Sequence, residues 1–297
     1  MRNRRSELPF HMMLLPAVIL VFIYQYLPIA GLVIAFQRFR PLTGFWNSPW
    51  VGLDNFRYVF HMPETTQVIF NTMFIAVLKI IAHLVVPITI ALLLNEINNS
   101  YVKRWVQTLV YLPHFLSWVI LSGILVNLLS PSTGVINHLL GFIGIDPIFF
   151  LGDNNWFRYI LVISDIWKEF GFSTIVYLAA LTSINPSLYE AAIVDGANRW
   201  KQTINITLPG MMSIIVLMAT LSLGNVLNAG FEQVFNLYNP SVYETGDIID
   251  TLIYRVGFVN SDYSVSTALG LFKSLVSFTL ISISYWFAYR FANYRIF

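Results

Sequence analysis

Apolar residues along this chain fall in long runs separated by short polar stretches, without the strict alternation of a strand. A helix crossing about 30 Å of hydrocarbon at about 1.5 Å per residue needs roughly 20 mostly apolar residues. Six stretches reach that length, at about 12–36, 68–94, 106–129, 157–181, 209–228 and 267–289. The first holds no Asp, Glu, Lys or Arg, although Pro16, Pro28 and Gly31 can bend it. Lys79 and His83 lie inside the second, Pro113 and His114 open the third, and Asp165, Lys168 and Glu169 interrupt the fourth. The fifth follows Leu208-Pro209, and Lys273 lies inside the sixth. The roughly ten-residue alternating segments of a membrane barrel are missing. The pattern predicts an all-α membrane protein with six transmembrane helices.

Composition agrees with that prediction. Of 297 residues, 57% are hydrophobic and only 11% charged, whereas a soluble domain carries about 25% charged residues. The 17 Lys and Arg against 15 Asp and Glu leave a net charge of +2. The basic residues Arg2, Arg4 and Arg5 are the one basic cluster, so nucleic-acid binding has no electrostatic footprint. Without cysteine there is no disulfide scaffold, thiolate metal site or Cys nucleophile. No HExxH, GxSxG or GxxxxGK[ST] pattern occurs, which leaves no catalytic constellation and no phosphate-binding loop for ATP. An energy source would have to reside in another subunit.

Cytoplasmic loops are enriched in Lys and Arg. With the N-terminus inside, the inner segments hold Arg2, Arg4, Arg5, Lys103, Arg104, Arg199, Lys201, Arg290 and Arg295. The outer ones hold Arg38, Arg40, Arg57, Arg255 and, at the boundary, Arg158. This count predicts both termini in the cytoplasm. The first apolar run, at about 25 residues, exceeds the roughly 7–15 of a signal peptide and reads as a signal anchor.

The inner loop at about 185–209 is more than a linker. Ser187 reads as an N-cap with Glu190 three residues on, a capping box. Leu188, Ala191, Ala192 and Asp195 recur at helical spacing, and Gly196 can take the left-handed turn that ends a helix. Leu208-Pro209 then reads as the start of the next span, where proline loses no helical hydrogen bond.

Glu190-Ala191-Ala192, three residues, Gly196, nine residues, Ile206, one residue and Leu208-Pro209 resemble the EAA loop of binding-protein-dependent ABC importer permeases, EAA-x3-G-x9-I-x-LP. Every fixed position of the pattern is present. Leu112-Pro113-His114-Phe115, Ser130-Pro131-Ser132-Thr133-Gly134, Ile166-Trp167-Lys168-Glu169, and Gly230-Phe231-Glu232-Gln233-Val234-Phe235 with Tyr238-Asn239-Pro240 resemble the LplB-like branch, assigned to complex-carbohydrate uptake. Unlike the maltose-type relative, this chain has no large extracytoplasmic insertion.

The resemblance implies a type I ABC importer transmembrane domain (MetI-like) over 12–297, after a cytoplasmic segment 1–11. It implies a second related permease, distinct or identical, two cytoplasmic ATPase subunits that bind ATP and Mg, and an extracytoplasmic solute-binding protein that delivers an oligosaccharide. The chain itself would be no enzyme and hold no cofactor or metal. Glu190, Ala191, Ala192, Asp195, Gly196, Ile206, Leu208 and Pro209 would couple it to the ATPase, with the small alanines allowing close approach and the glycine permitting the sharp turn.

Charged groups inside spans face a cavity or each other, because exposure to lipid is costly. Asp165, Lys168 and Glu169 share one face of the fourth span, roughly 12–18 Å deep counted from Phe157. Lys79 and Lys273 can complete a charge network, and Asn225 and Asn228 align on the fifth span. These residues, with Trp167, Glu232 and the flat faces of Phe170, Phe231 and Phe235, are candidates for a wall that offers hydrogen bonds and stacking to a sugar. An ion-paired cluster that only joins helices explains the charges equally well. The lysines also raise the idea of an acidic glycan, or each lysine simply neutralises Asp165 or Glu169. The rival class is an ATP-independent, ion-coupled secondary transporter or channel.

Overall fold

The computed structural model describes residues 4–224 and 227–292. Among these the chain is helical, and its β-structure is an isolated antiparallel bridge between Gln37 and Trp50. The principal helices are α1 (Arg4–Val21), α2 (Pro63–Asn95), α3 (Ser100–Tyr111), α4 (Trp118–Leu128), α5 (Asn154–Thr182), α6 (Pro186–Val194), α7 (Arg199–Gln202), α8 (Leu208–Gly224), α9 (Phe231–Leu237) and α10 (Tyr263–Ala292).

By length and apolar composition, Phe10–Phe36, Pro63–Asn95, Arg199–Leu223 and Tyr263–Ile283 can each cross a membrane. The third expected span is not one straight helix. Ser100–Phe115 and Trp118–Leu128 meet at 106°. Pro113 lies in a 3-10 turn (Leu112–Phe115), and Leu116 adopts extended backbone, after which Ser117 caps α4 by accepting from the Ile120 amide. A serine that caps the following helix cannot also continue the preceding one, so the run of apolar residues hid a break. At 29 residues, α5 is long enough to span but more polar, since it carries Arg158, Asp165, Lys168 and Glu169.

The chain forms two compact units. One comprises the residues up to Met62 with Leu252–Phe272. In it α1 continues through a π turn (Phe22–Tyr26) and a 3-10 stretch (Leu27–Phe36). Arg38 then donates its amide to the Pro49 carbonyl at 2.9 Å, and Val51 donates to Phe36 at 2.9 Å. Asn55 fastens this hairpin by donating its side-chain amide to the carbonyls of Ala35 and Gln37, at 2.8 and 2.9 Å.

The other unit comprises Pro63–Thr251 and the chain from Lys273. Its largest apolar core joins Ile75 of α2, Leu121 and Leu125 of α4, Phe157 and Leu161 of α5, Val234 of α9 and Ile248. A second core gathers Ala91, Tyr177, Leu181 and Met211. Gly171 lets α5 approach the backbone of α3, because a Cβ there would overlap the Val110 carbonyl. Arg158 ties α5 to α2 and to the short helix Tyr243–Gly246, donating to Asn71 Oδ1 at 2.7 Å and to the Thr245 carbonyl at 3.0 Å.

Candidate functional site

The loop at 185–209 folds as a helix, a glycine turn and a second helix, although its caps differ from expectation. Asn185, not Ser187, caps α6 by accepting from the Ser187 amide at 3.0 Å, and Pro186 occupies the first turn. Proline there has no amide to satisfy and its φ suits a helix, so the boundary moves two residues upstream and the expected Ser187–Glu190 capping box does not form. Gly196 has φ of +74°. Its amide donates to Ile193 at 3.0 Å and that of Ala197 to Ala192 at 2.8 Å, the paired bonds of a Schellman stop.

Asn198 caps α7 by accepting from the Lys201 amide. The fifth span therefore does not begin at Leu208-Pro209, because helix runs from Arg199 to Leu223. A π turn (Thr203–Thr207) immediately precedes Leu208-Pro209. Proline inside a helix removes one amide and crowds the preceding turn, and the wider π turn makes room for it.

The loop is braced against its neighbours but keeps an outward surface. Tyr189 and Thr207 share a hydroxyl–hydroxyl bond of 2.9 Å, and Gln202 donates to the Ala197 carbonyl at 2.8 Å. Glu190, Ala191, Asp195, Gly196 and Pro209 are exposed, while Ala192, Ile206 and Leu208 are half-buried. Ile193, Val194 and Trp200 are 61%, 87% and 71% exposed.

The second candidate region lies between α2, α5 and α9. Asp165 receives Lys79 Nζ on one oxygen at 3.1 Å and His83 Nε2 on the other at 2.8 Å. Lys79 also donates to the Ala229 carbonyl at 2.8 Å and to Gln233 Oε1. Gln233, fully buried, donates in turn to the Leu161 carbonyl and Ser164 Oγ, both at 2.7 Å. Gly230, at φ +94°, makes this possible, since a Cβ there would come within 2.9 Å of Lys79 Nζ. Lys79, His83, Asp165, Ser222, Asn228 and Gly230 border a cavity of about 270 Å³. Desolvated charges are tolerable here because each has a partner and further hydrogen bonds.

The other charges go elsewhere. Glu169 bonds His114 Nδ1 at 2.8 Å and Lys168 Nζ at 2.8 Å, and Lys168 also donates to the His114 carbonyl at 3.0 Å. This second cluster fastens α5 to the turn that precedes the bend. The shared face of Asp165, Lys168 and Glu169 is thus split between two sets of neighbours. Lys273 does not complete the network, because it pairs with Asp250. Each of the two lysines that raised the acidic-glycan idea is held by an aspartate.

Trp167 is 38% exposed, Glu232 is exposed and Phe170 half-buried. Phe231 and Phe235 stack at 5.2 Å. Asn225 lies outside the described residues. The structure therefore brings Lys79, Asp165 and Asn228 to one cavity and adds His83, Ser222 and Gly230, with Gln233 buried behind Lys79. His83 was legible as Lys79 plus four on one helical face. Gln233 carries no charge, and the sequence marked it only as part of a string shared with the LplB-like branch, with no role attached.

This arrangement, a helical membrane scaffold with a helix–glycine–helix loop at 185–209, defines a class of transport component. Residues 83–293 match the family of binding-protein-dependent transport system inner membrane components. The chain is 41% identical over 287 residues to Protein LplB of Bacillus subtilis, covering 97% of this chain and 90% of that one. It is also 41% identical over 287 residues to the polygalacturonan/rhamnogalacturonan transport system permease protein YteP of the same organism, covering 97% and 89%.

Among solved structures it superposes with a TM-score of 0.90, at 41% identity and 97% coverage of both chains, on a chain of a bacterial ABC transporter involved in import of the acidic polysaccharide alginate. A second match, with a TM-score of 0.89 at 40% identity and 96% coverage of both chains, is to a bacterial alginate ABC transporter in complex with an alginate pentasaccharide-bound periplasmic protein. The chain belongs to the family of binding-protein-dependent inner-membrane transport components. It is a multi-pass membrane protein with the fold of an ABC importer permease.

Proposed function

We propose that this chain is one transmembrane subunit of a bacterial plasma-membrane ABC importer that takes up an oligosaccharide or a polysaccharide fragment. It pairs with a second, related permease. Two ATPase subunits, binding ATP and Mg, sit on its cytoplasmic side, and a solute-binding protein delivers sugar from outside. The chain crosses the membrane six times, with α5 among the spans and both termini inside. Its role is mechanical and selective, without catalysis of its own.

The observation that carries this reading is the inner loop: a complete EAA pattern folded as a capped helix and a Schellman turn, with Ile193 and Val194 outward. Closure of the ATPases on ATP moves that rigid element, and the spans rotate with it. Glu190 meets the ATPase, and Gly196 holds the two helical pieces apart. The cavity at Lys79, Asp165 and Asn228 forms part of the sugar's path, which Trp167, Lys168, Glu169, Asn225, Glu232 and Lys273 border further along.

Carbohydrate as cargo is supported by the similarity to permeases named for polygalacturonan/rhamnogalacturonan and alginate. Support for an acidic glycan comes from the same similarity, not from the paired lysines. The ion-coupled alternative is disfavoured by family and by the internal pairing of Asp165 and Glu169.

Replacement of Glu190 by Ala, or of Gly196 by Pro, tests the coupling role. Each variant is expected to insert and assemble with its partner permease while sugar-stimulated ATP hydrolysis and uptake fall at least about tenfold. Wild-type uptake by both would refute the assignment of the loop.

A further inference from the structure

The first unit contains a cavity of about 410 Å³ that the coupling and pathway residues do not touch. Arg38, Phe39, Asp54, Asn55, Tyr58 and Asp262 border it, all in segments that the charge distribution puts outside the membrane. We infer that this cavity is an extracytoplasmic subsite for one uncharged pyranose residue of the incoming glycan. The inference rests on the carbohydrate reading above and adds to it a second point of contact, built from residues other than those of the cavity at Lys79.

The lining suits a ring bearing hydroxyls. Tyr58, 59% exposed, and the half-buried Phe39 offer flat apolar faces, and Asp54, Asp262, Asn55 and Arg38 offer acceptors and donors. Their capacity is not used up internally. The Arg38 guanidinium and the Tyr58 hydroxyl have no hydrogen-bond partner among the described residues. Asn55 spends only its NH2 group, on Ala35 and Gln37, and Asp262 only one oxygen, on the Val265 amide. Asp54 uses one oxygen at 3.4 Å from Arg57. A few unspent polar groups around an apolar floor are what orient a small ligand.

The cavity is also prearranged. The Phe39 amide donates to Ser264 Oγ at 2.8 Å, the Arg38 amide is held by Pro49, and Asn55 clamps the hairpin from below. A rigid site loses little freedom on binding. The charge balance points to the kind of sugar residue: Arg57 answers Asp54 at 3.4 Å and Arg38 stands against Asp262, so the lining has no surplus positive charge to draw in a carboxylate and suits a neutral residue.

The test uses the full importer in nanodiscs, with its second permease, ATPases and binding protein. The probes are cellotetraose and tetragalacturonate, applied first to the importer without binding protein and followed by saturation-transfer NMR. Cellotetraose is expected to show transfer that tetragalacturonate lacks, and Tyr58→Ala or Asp262→Asn is expected to weaken it about three- to tenfold, the effect of losing one stacking or hydrogen-bonding contact. Transfer to cellotetraose that both variants retain places the sugar elsewhere and overturns the proposal. Stronger transfer to tetragalacturonate overturns the choice of a neutral residue.

A pull-down with the binding protein provides a separate control. If the variants lose capture of binding protein and leave sugar transfer intact, the cavity is a protein-docking patch and the subsite is refuted. The carbohydrate reading is judged apart from all this, by whether ATP hydrolysis in the wild type responds to any sugar-loaded binding protein.

Discussion

Lys79 is the residue on which the buried polar cluster turns. It is 7% exposed and answers Asp165, Gln233 and the Ala229 carbonyl together. Removing one member of such a pair strands the other without water, at a cost of about 3–5 kcal/mol. Lys79→Met is therefore expected to lower the thermal unfolding temperature in detergent sharply. Adding Asp165→Leu should recover part of the loss, and additive losses would show that the two are not coupled. Gly230→Ala should act on the same cluster, since its left-handed φ and the nearness of Lys79 both oppose a Cβ. About 1–3 kcal/mol is expected for such strain, again read as a fall in unfolding temperature. The charged members were visible in the sequence because charge inside a span always needs an explanation. Gln233 and Gly230 were not, because their roles depend on which helices meet.

Among the elements, the inner loop was the most legible and the bent third span the least. Its helix, its glycine stop and the following helix all follow from local chemistry, and the structure reproduces them with the caps shifted. Asn185-Pro186 and Ser187 both offer plausible starts, and proline's preference for the first turn decides between them. Asn185→Ala is thus expected to destabilise α6 by about 1 kcal/mol, seen as faster amide hydrogen exchange over 187–191, whereas Ser187→Ala should leave exchange unchanged. The reverse result would restore the capping box.

The break after Phe115 escaped notice because Leu116 and Trp118 keep the stretch apolar, and hydropathy does not register extended backbone. What holds the pieces in place is tertiary: His114 bonded to Glu169, and Gly171 against the Val110 carbonyl. Gly171→Ala should push α3 away from α5 and lower the yield of folded protein in size-exclusion chromatography; a normal yield would mean the helices yield at little cost.

At the scale of the whole molecule, membrane character followed from composition, and membership in the ABC importer family from a single loop, later matched along 97% of the chain. The number of spans is less plain, because α5, read from the sequence as the fourth span, carries Arg158, Asp165, Lys168 and Glu169, and the third is bent. Both departures lie where charged and aromatic residues gather, with His114 bonded to Glu169 and stacked on Phe172.

The central claim is that this chain converts ATP hydrolysis elsewhere into sugar movement. The most direct measurement is ATP hydrolysis by the chain assembled in nanodiscs with a related permease and ATPase subunits, with and without binding protein loaded with an oligosaccharide. The account predicts stimulation by the loaded binding protein that disappears in Gly196→Pro. A folded chain that associates with no ATPase, or an assembly indifferent to loaded binding protein, would contradict it.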